Sequence, residues 1–167
     1  MTTSTSSYTN THSVTFVADK LLMCLQEIVR LSGLDPKKIS EDWGGLERGL
    51  SSWLESGHLE AVTLEVFLPL TDKLVDRWDF EIRYDWTGEY ATFWVDTDQI
   101  RYALQKKEVL GSLCDYRIVV TTKAGRPDVE GWTNAEFRST EGFIRQSVGT
   151  TLDAGGLGAS AHYYRKK

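Results

Sequence analysis

The 44 residues from 124 to 167 hold 7 of the chain's 14 glycines, interleaved with Trp132, Phe137, Phe143, Tyr163 and Tyr164. Glycine at that density argues against a packed helix, and rings of that size argue against a free linker. What remains is a segment that bends sharply and still buries aromatic surface. Burying one large side chain is worth roughly 1.5–3 kcal/mol, while ordering the glycines around it adds an entropic cost. The opposing effects are of similar size. The segment is therefore expected to dock on a folded core through a balance that a partner can tip.

Hydrophobic periodicity sets the order of elements ahead of it. Val14, Val17, Ala18, Leu21, Leu25, Ile28 and Leu31 recur at helical spacing. They predict a central helix over 13–32, capped by Asn10, Thr11 or Ser13 and closed by Gly33. Leu46, Leu50, Trp53 and Leu54 predict a second helix over 42–55, ended by Gly57. The pattern then changes to period two. Val62, Leu64, Val66 and Leu68 form one alternating run and Trp78, Phe80, Ile82 and Tyr84 the next, with a turn over 69–73. This is an antiparallel hairpin, expected to have one buried and one solvated face. A turn over 86–89 and a short strand over 91–95 follow. A third helix is expected over 97–110, capped by Asp96 or Thr97 and closed by Gly111, then a strand over 116–123. The fold class is α+β, helices packed on an antiparallel sheet. Residues 1–10 are read as a flexible N-terminal tail, 11–123 as the core and 124–167 as the docking segment.

Charge excludes some partners. The net charge is −5, and the last 44 residues carry six Lys/Arg against five Asp/Glu. The first 123 carry thirteen basic against nineteen acidic residues. Such an acidic core argues against direct nucleic-acid binding, which needs a basic stripe. No apolar run approaches the roughly 20 residues that span a bilayer, and the Ser/Thr-rich start is no secretory signal. Cys24 and Cys114 lie far apart in a chain without an export signal, so a reduced, cytoplasmic setting is expected.

Motifs for chemistry are sparse. His12, His58 and His162 have no partner at metal-ligand spacing, and Cys24 lies on an apolar helical run as a small hydrophobe. The string Gly155-Gly156-Leu157-Gly158-Ala159-Ser160 lacks the strand–loop–helix setting of a phosphate loop and reads as a bend. Asp96 and Asp98 read as helix-capping groups rather than magnesium ligands. No catalytic residue, metal or cofactor is expected.

Several strings together resemble one family. They are Thr11-His12-Ser13-Val14-Thr15, Leu31-Ser32-Gly33-Leu34-Asp35-Pro36 and Thr71-Asp72-Lys73-Leu74-Val75-Asp76-Arg77-Trp78-Asp79. Gly125-Arg126-Pro127-Asp128-Val129-Glu130-Gly131-Trp132 and Arg138-Ser139-Thr140-Glu141-Gly142 complete the set. With the order of elements, they make the chain similar to the HORMA-domain proteins of bacterial anti-phage CBASS operons. The resemblance implies a HORMA fold whose C-terminal safety belt, here 124–167, wraps over a closure-motif peptide added as a strand to the sheet. It implies that the closed form activates a cGAS-like nucleotidyltransferase making a cyclic oligonucleotide second messenger. An AAA+ remodelling ATPase would reset it through the N-terminal tail, at Tyr8, Thr9, Asn10, Thr11 and His12. A second HORMA protein is a further partner the family allows. Trp132, Phe137, Phe143, Tyr163 and Tyr164 are the expected belt anchors.

The chain is thus expected to be a signalling adaptor without catalysis, its core folding even when the residues after Lys123 are removed. Two other readings stand beside it. One is a small hydrolase or transferase with the C-terminal segment as a mobile lid. The other is an assembly subunit whose tail merely packs.

Overall fold

The computed structural model describes residues 3–85 and 93–167, with side chains from residue 11 onward. Helix α1, Thr3–Leu31, starts ten residues earlier than periodicity predicts. Extending a helix that is already packed costs far less than nucleating one, so polar residues 3–12 continue it. Asn10, Thr11 and Ser13 are therefore interior positions, not caps. The helix ends as expected at Gly33, which takes φ +87°. Gly33 N–H donates to Arg30 O at 3.1 Å and Leu34 N–H to Val29 O at 3.0 Å, a Schellman closure. The short α2, Lys37–Glu41, which periodicity does not show, leads into α3, Trp43–Glu55. Gly57, at φ +76°, closes α3 in the same way.

The strands are β1 Leu59–Leu68, β2 Lys73–Tyr84, β3 Trp94–Val95, β4 Asp115–Thr122, β5 Phe143–Ala154 and β6 Leu157–Lys166. Helix α4, Asp98–Gln105, lies between β3 and β4. Asp96 initiates it: its carboxylate accepts the Asp98 N–H at 3.1 Å. The helix stops five residues short of the expected end, and Gly111 does not close it. The expected turn over 86–89 and residues 91–92 lie outside the described residues.

All pairings are antiparallel, in the order β3-β5-β6-β2-β1-β4. The expected hairpin is β1–β2, with Val62 opposite Phe80 and Leu64 opposite Trp78. The glycine-rich C-terminus is a second hairpin. Gly155 and Gly156, at φ +68° and +99°, form its two-residue turn, which needs positive φ at both positions. That string is a tight turn entering a strand, rather than a loose bend.

The core lies between the helices and one sheet face, with Trp53, Trp78, Phe80, Leu21 and Leu25 fully buried. Two expectations are corrected. Leu152, Ala154, Leu157, Ala159 and Ala161 of the second hairpin belong to this core, and α1 packs on both of its strands. Removing everything after Lys123 would strip buried surface from α1 and β2, so an intact core is not expected to survive it. The other sheet face is not simply solvated either: Thr63, Glu65 and Asp79 are at most 4% exposed. Side chains of the crossing segment and of β5 and β6 cover them.

Candidate functional site

Strand β4 pairs with β1 alone, so among the described residues its outer edge has no strand partner. An unpaired edge presents a row of backbone donors and acceptors that must be covered or used. Residues 123–142 connect this edge to β5, which lies beyond β1, β2 and β6. The connection has to cross the molecule, and it does so as a strap with two anchors.

The first anchor is Trp132. Its indole packs on α3 where Gly49 leaves room: a Cβ there would sit 2.3 Å from Nε1. Trp132 Nε1 donates to Gly45 O at 3.1 Å, and the ring meets Trp53 edge-on with centroids 5.1 Å apart. Trp53 Nε1 in turn donates to Pro127 O at 2.7 Å, and the Arg126 guanidinium lies 5.0 Å from the Trp53 ring.

The second anchor is Arg138. Its backbone N–H donates to Glu65 Oε2 at 2.8 Å and its Nη1 to Glu65 Oε1 at 2.5 Å. Its Nη2 meets Asp72 Oδ1 at 2.7 Å, and its guanidinium stacks 3.5 Å from the Phe67 ring centroid. Asp72, at φ +58°, holds the left-handed position of the β1–β2 turn, which Asp tolerates better than most residues. Arg117 of β4 donates from Nε to Glu65 Oε1 at 2.7 Å and from Nη2 to the strap carbonyl of Glu136. Glu65 is fully buried. Burial alone would raise its carboxyl, but the Arg138 N–H and the Arg117 and Arg138 guanidinium groups outweigh it and hold the group below its ordinary value.

Between the anchors, the strap and the β4 edge enclose a groove. Trp132, Thr133 and Ala135 face Ile118 and Val119 across about 570 Å³, with Leu46 and Gly45 of α3 as its floor. A smaller recess of about 120 Å³ continues toward Thr122, under Arg126 and Asn134. One wall is an unpaired strand edge and the other a strap that crosses it. The shape suits an extended chain segment.

The expected anchors separate. Trp132 fastens the strap at the groove. Phe137 lies beyond it, with the Arg77 guanidinium 4.2 Å from its ring. Phe143, Tyr163 and Tyr164 belong to the second hairpin, on the opposite side of β1. Tyr163 packs 5.4 Å from Trp78, and Tyr164 Oη donates to Asp79 Oδ2 at 2.9 Å. Tyr8, Thr9 and Asn10 lie in α1, with side chains outside the described residues, and Thr11 and His12 sit exposed on the same helix. Glu65, Arg117 and Asp72 were missed. Glu65 sits at a period-two position that reads as solvent-facing; its one signal is its place between Leu64 and Val66 in a largely apolar strand.

Burial raises the Cys24 thiol to about 12, which leaves it a core hydrophobe. Among the described residues no group of three or more His, Cys, Asp or Glu is placed to hold a metal, and no helix is long and apolar enough to cross a membrane.

The bacterial HORMA domain 2 family model matches residues 1–167. The chain belongs to this bacterial HORMA family. None of the curated proteins matches it. Among solved structures, a chain of the E. coli MS115-1 CdnC:HORMA-deltaN complex aligns with a TM-score of 0.60 at 13% identity, over 95% of this HORMA domain and 90% of that chain. C. elegans HTP-2 bound to a HIM-3 closure motif gives a TM-score of 0.64 at 11% identity, over 87% and 88%. A chain of the mitotic checkpoint complex gives 0.63 at 11% identity, over 78% and 74%. At these identities the likeness is one of fold, and it establishes the α+β HORMA architecture.

Proposed function

We propose that this HORMA domain is a peptide-capturing adaptor of bacterial anti-phage signalling, with no catalysis of its own. The observation that carries the reading is the unpaired β4 edge spanned by an anchored strap. A closure-motif peptide adds to that edge as a seventh strand and the strap passes over it. Backbone hydrogen bonds contribute about 0.5–1.5 kcal/mol each, so a short strand alone dissociates readily. Slow release has to come from the strap, which must unfasten before the peptide leaves. In this reading the closed form has the C-terminal hairpin on β2 and the strap across β4, and the β2–β6 pairing supports it.

The closed form then docks on a cGAS-like nucleotidyltransferase and turns on synthesis of a cyclic oligonucleotide messenger. The fold likeness to a chain from a complex containing CdnC supports this step, and the HTP-2 structure with its closure motif supports the capture step. Reset falls to an AAA+ ATPase acting on the start of α1. That helix packs on β5 and β6, so a pull unwinding it loosens the hairpin.

The direct test selects binders from a displayed library of seven-residue peptides and maps amide exchange with the best one bound. Protection is expected over Asp115–Thr122 and over strap residues 126–138. A library that enriches nothing, or a peptide that protects some other surface, defeats the capture reading. Activation is tested separately, by adding the loaded chain to a cGAS-like nucleotidyltransferase and measuring cyclic oligonucleotide synthesis.

A further inference from the structure

The strap is not the only fastening. Lys107 lies two residues beyond α4, in the connection to β4, and its ammonium joins two strands, β2 and β6. It forms an ion pair with Asp76 of β2, whose side chain is 4% exposed. It donates to the Tyr164 carbonyl of β6 at 2.9 Å. It lies 5.5 Å from the Trp78 ring and 5.0 Å from the Tyr163 ring.

The location gives this cluster its meaning. The β2–β6 ladder runs from Tyr84 opposite Leu157 to Trp78 opposite Tyr163 and ends there. Tyr164 is the next residue, and β2 offers it no further rung; its carbonyl is taken by Lys107 instead. A hairpin leaving β2 peels from an end of this ladder. Lys107 holds that end, through a carbonyl and a ring that are in place only while the hairpin is docked. With the hairpin elsewhere, Asp76 and Lys107 lose the cover of Tyr163, and the pair faces water.

We propose that Lys107 is a positioning residue that latches the C-terminal hairpin to β2, so that the Lys107–Asp76 pair sets how long the closed form persists. This rests on the reading that closure is what the domain switches. The latch itself is measurable without any peptide.

The experiment is amide exchange by mass spectrometry on the full chain, comparing Lys107→Met, Lys107→Arg and the double variant Lys107→Met/Asp76→Asn. Exchange over Leu157–Lys166 is expected to rise at least tenfold in Lys107→Met, with α3 and β1 unchanged. Lys107→Arg should restore most of the protection. The double variant removes the buried unpaired carboxylate that Lys107→Met leaves, and should keep the faster hairpin exchange while melting like the parent. Unchanged hairpin exchange overturns the latch, and so does a uniform rise over every element, which marks a merely structural residue. Failure of the peptide selection with a positive result here would sink the capture reading and leave the latch standing.

Discussion

At the scale of single residues, the site depends on one buried carboxylate. Glu65 is wholly out of water, and its oxygens are met by two guanidinium groups and a backbone N–H. Removing one of the two guanidinium groups leaves the carboxylate to the other and to the backbone N–H, a smaller loss than the roughly 3–5 kcal/mol of a buried charge with no partner left. Arg138→Ala is therefore expected to lower stability by about 1.5–3 kcal/mol in urea titration, and to raise exchange over the strap above that of the core. The linkage to pH has a definite sign. The folded-state value of Glu65 lies below its unfolded value, so its contribution is complete above the unfolded value and is lost as pH falls through the lower folded one. The stability gap between the parent and Glu65→Gln should narrow as pH drops below about 4. A gap of constant size from pH 7 to pH 3 would show that the ionised form is not what stabilises the clasp.

Elements carry the next set of constraints. Gly49 is buried on α3 because the Trp132 indole occupies the space a Cβ needs. Gly49→Ala should strengthen the isolated helix by about 0.5–1 kcal/mol and yet expel Trp132. Exchange over 126–135 is the measurement, and faster exchange there with no loss at α3 is the expected outcome. In the second hairpin, Gly155→Asn should be tolerated, since Asn accepts left-handed φ, whereas Gly156→Val should cost about 1–2 kcal/mol in melting experiments. These two elements also mark what the chain shows in advance. Period-two alternation in β1 and β2 is visible because one face of each meets the helices. The second hairpin is hidden because much of its core face is built from Ala154, Ala159 and Ala161, small residues that give little hydrophobic alternation. The clasp is hidden for a different reason. Glu65 and Arg138 are 73 residues apart, and nothing local distinguishes a buried ion pair from two solvated charges. Nor does a ring beside glycine tell its place: Trp132 and Phe143 each follow one, and the first lies on α3 while the second begins β5.

The whole molecule is an open-edged sheet with a strap thrown across that edge. Among the described residues its six strands leave the outer edge of β4 unpaired, while the segment following β4 travels to the other side of the sheet to form β5. In the proposed function that path turns a weak strand-addition surface into an enclosure; the strap is held at one end of the crossing by α3 and at the other by β1. Capture then resembles threading more than surface docking, and release should be governed by the strap rather than by the strength of the added strand. The most direct measurement inserts a specific protease site after Asn134, between the two anchors, and follows release of a library-selected peptide before and after cleavage. If the strap encloses the peptide, the uncut domain should hold it for minutes to hours and the cut domain should release it at least a hundredfold faster, with the rest of the fold intact. A release rate indifferent to the cut would contradict the enclosure.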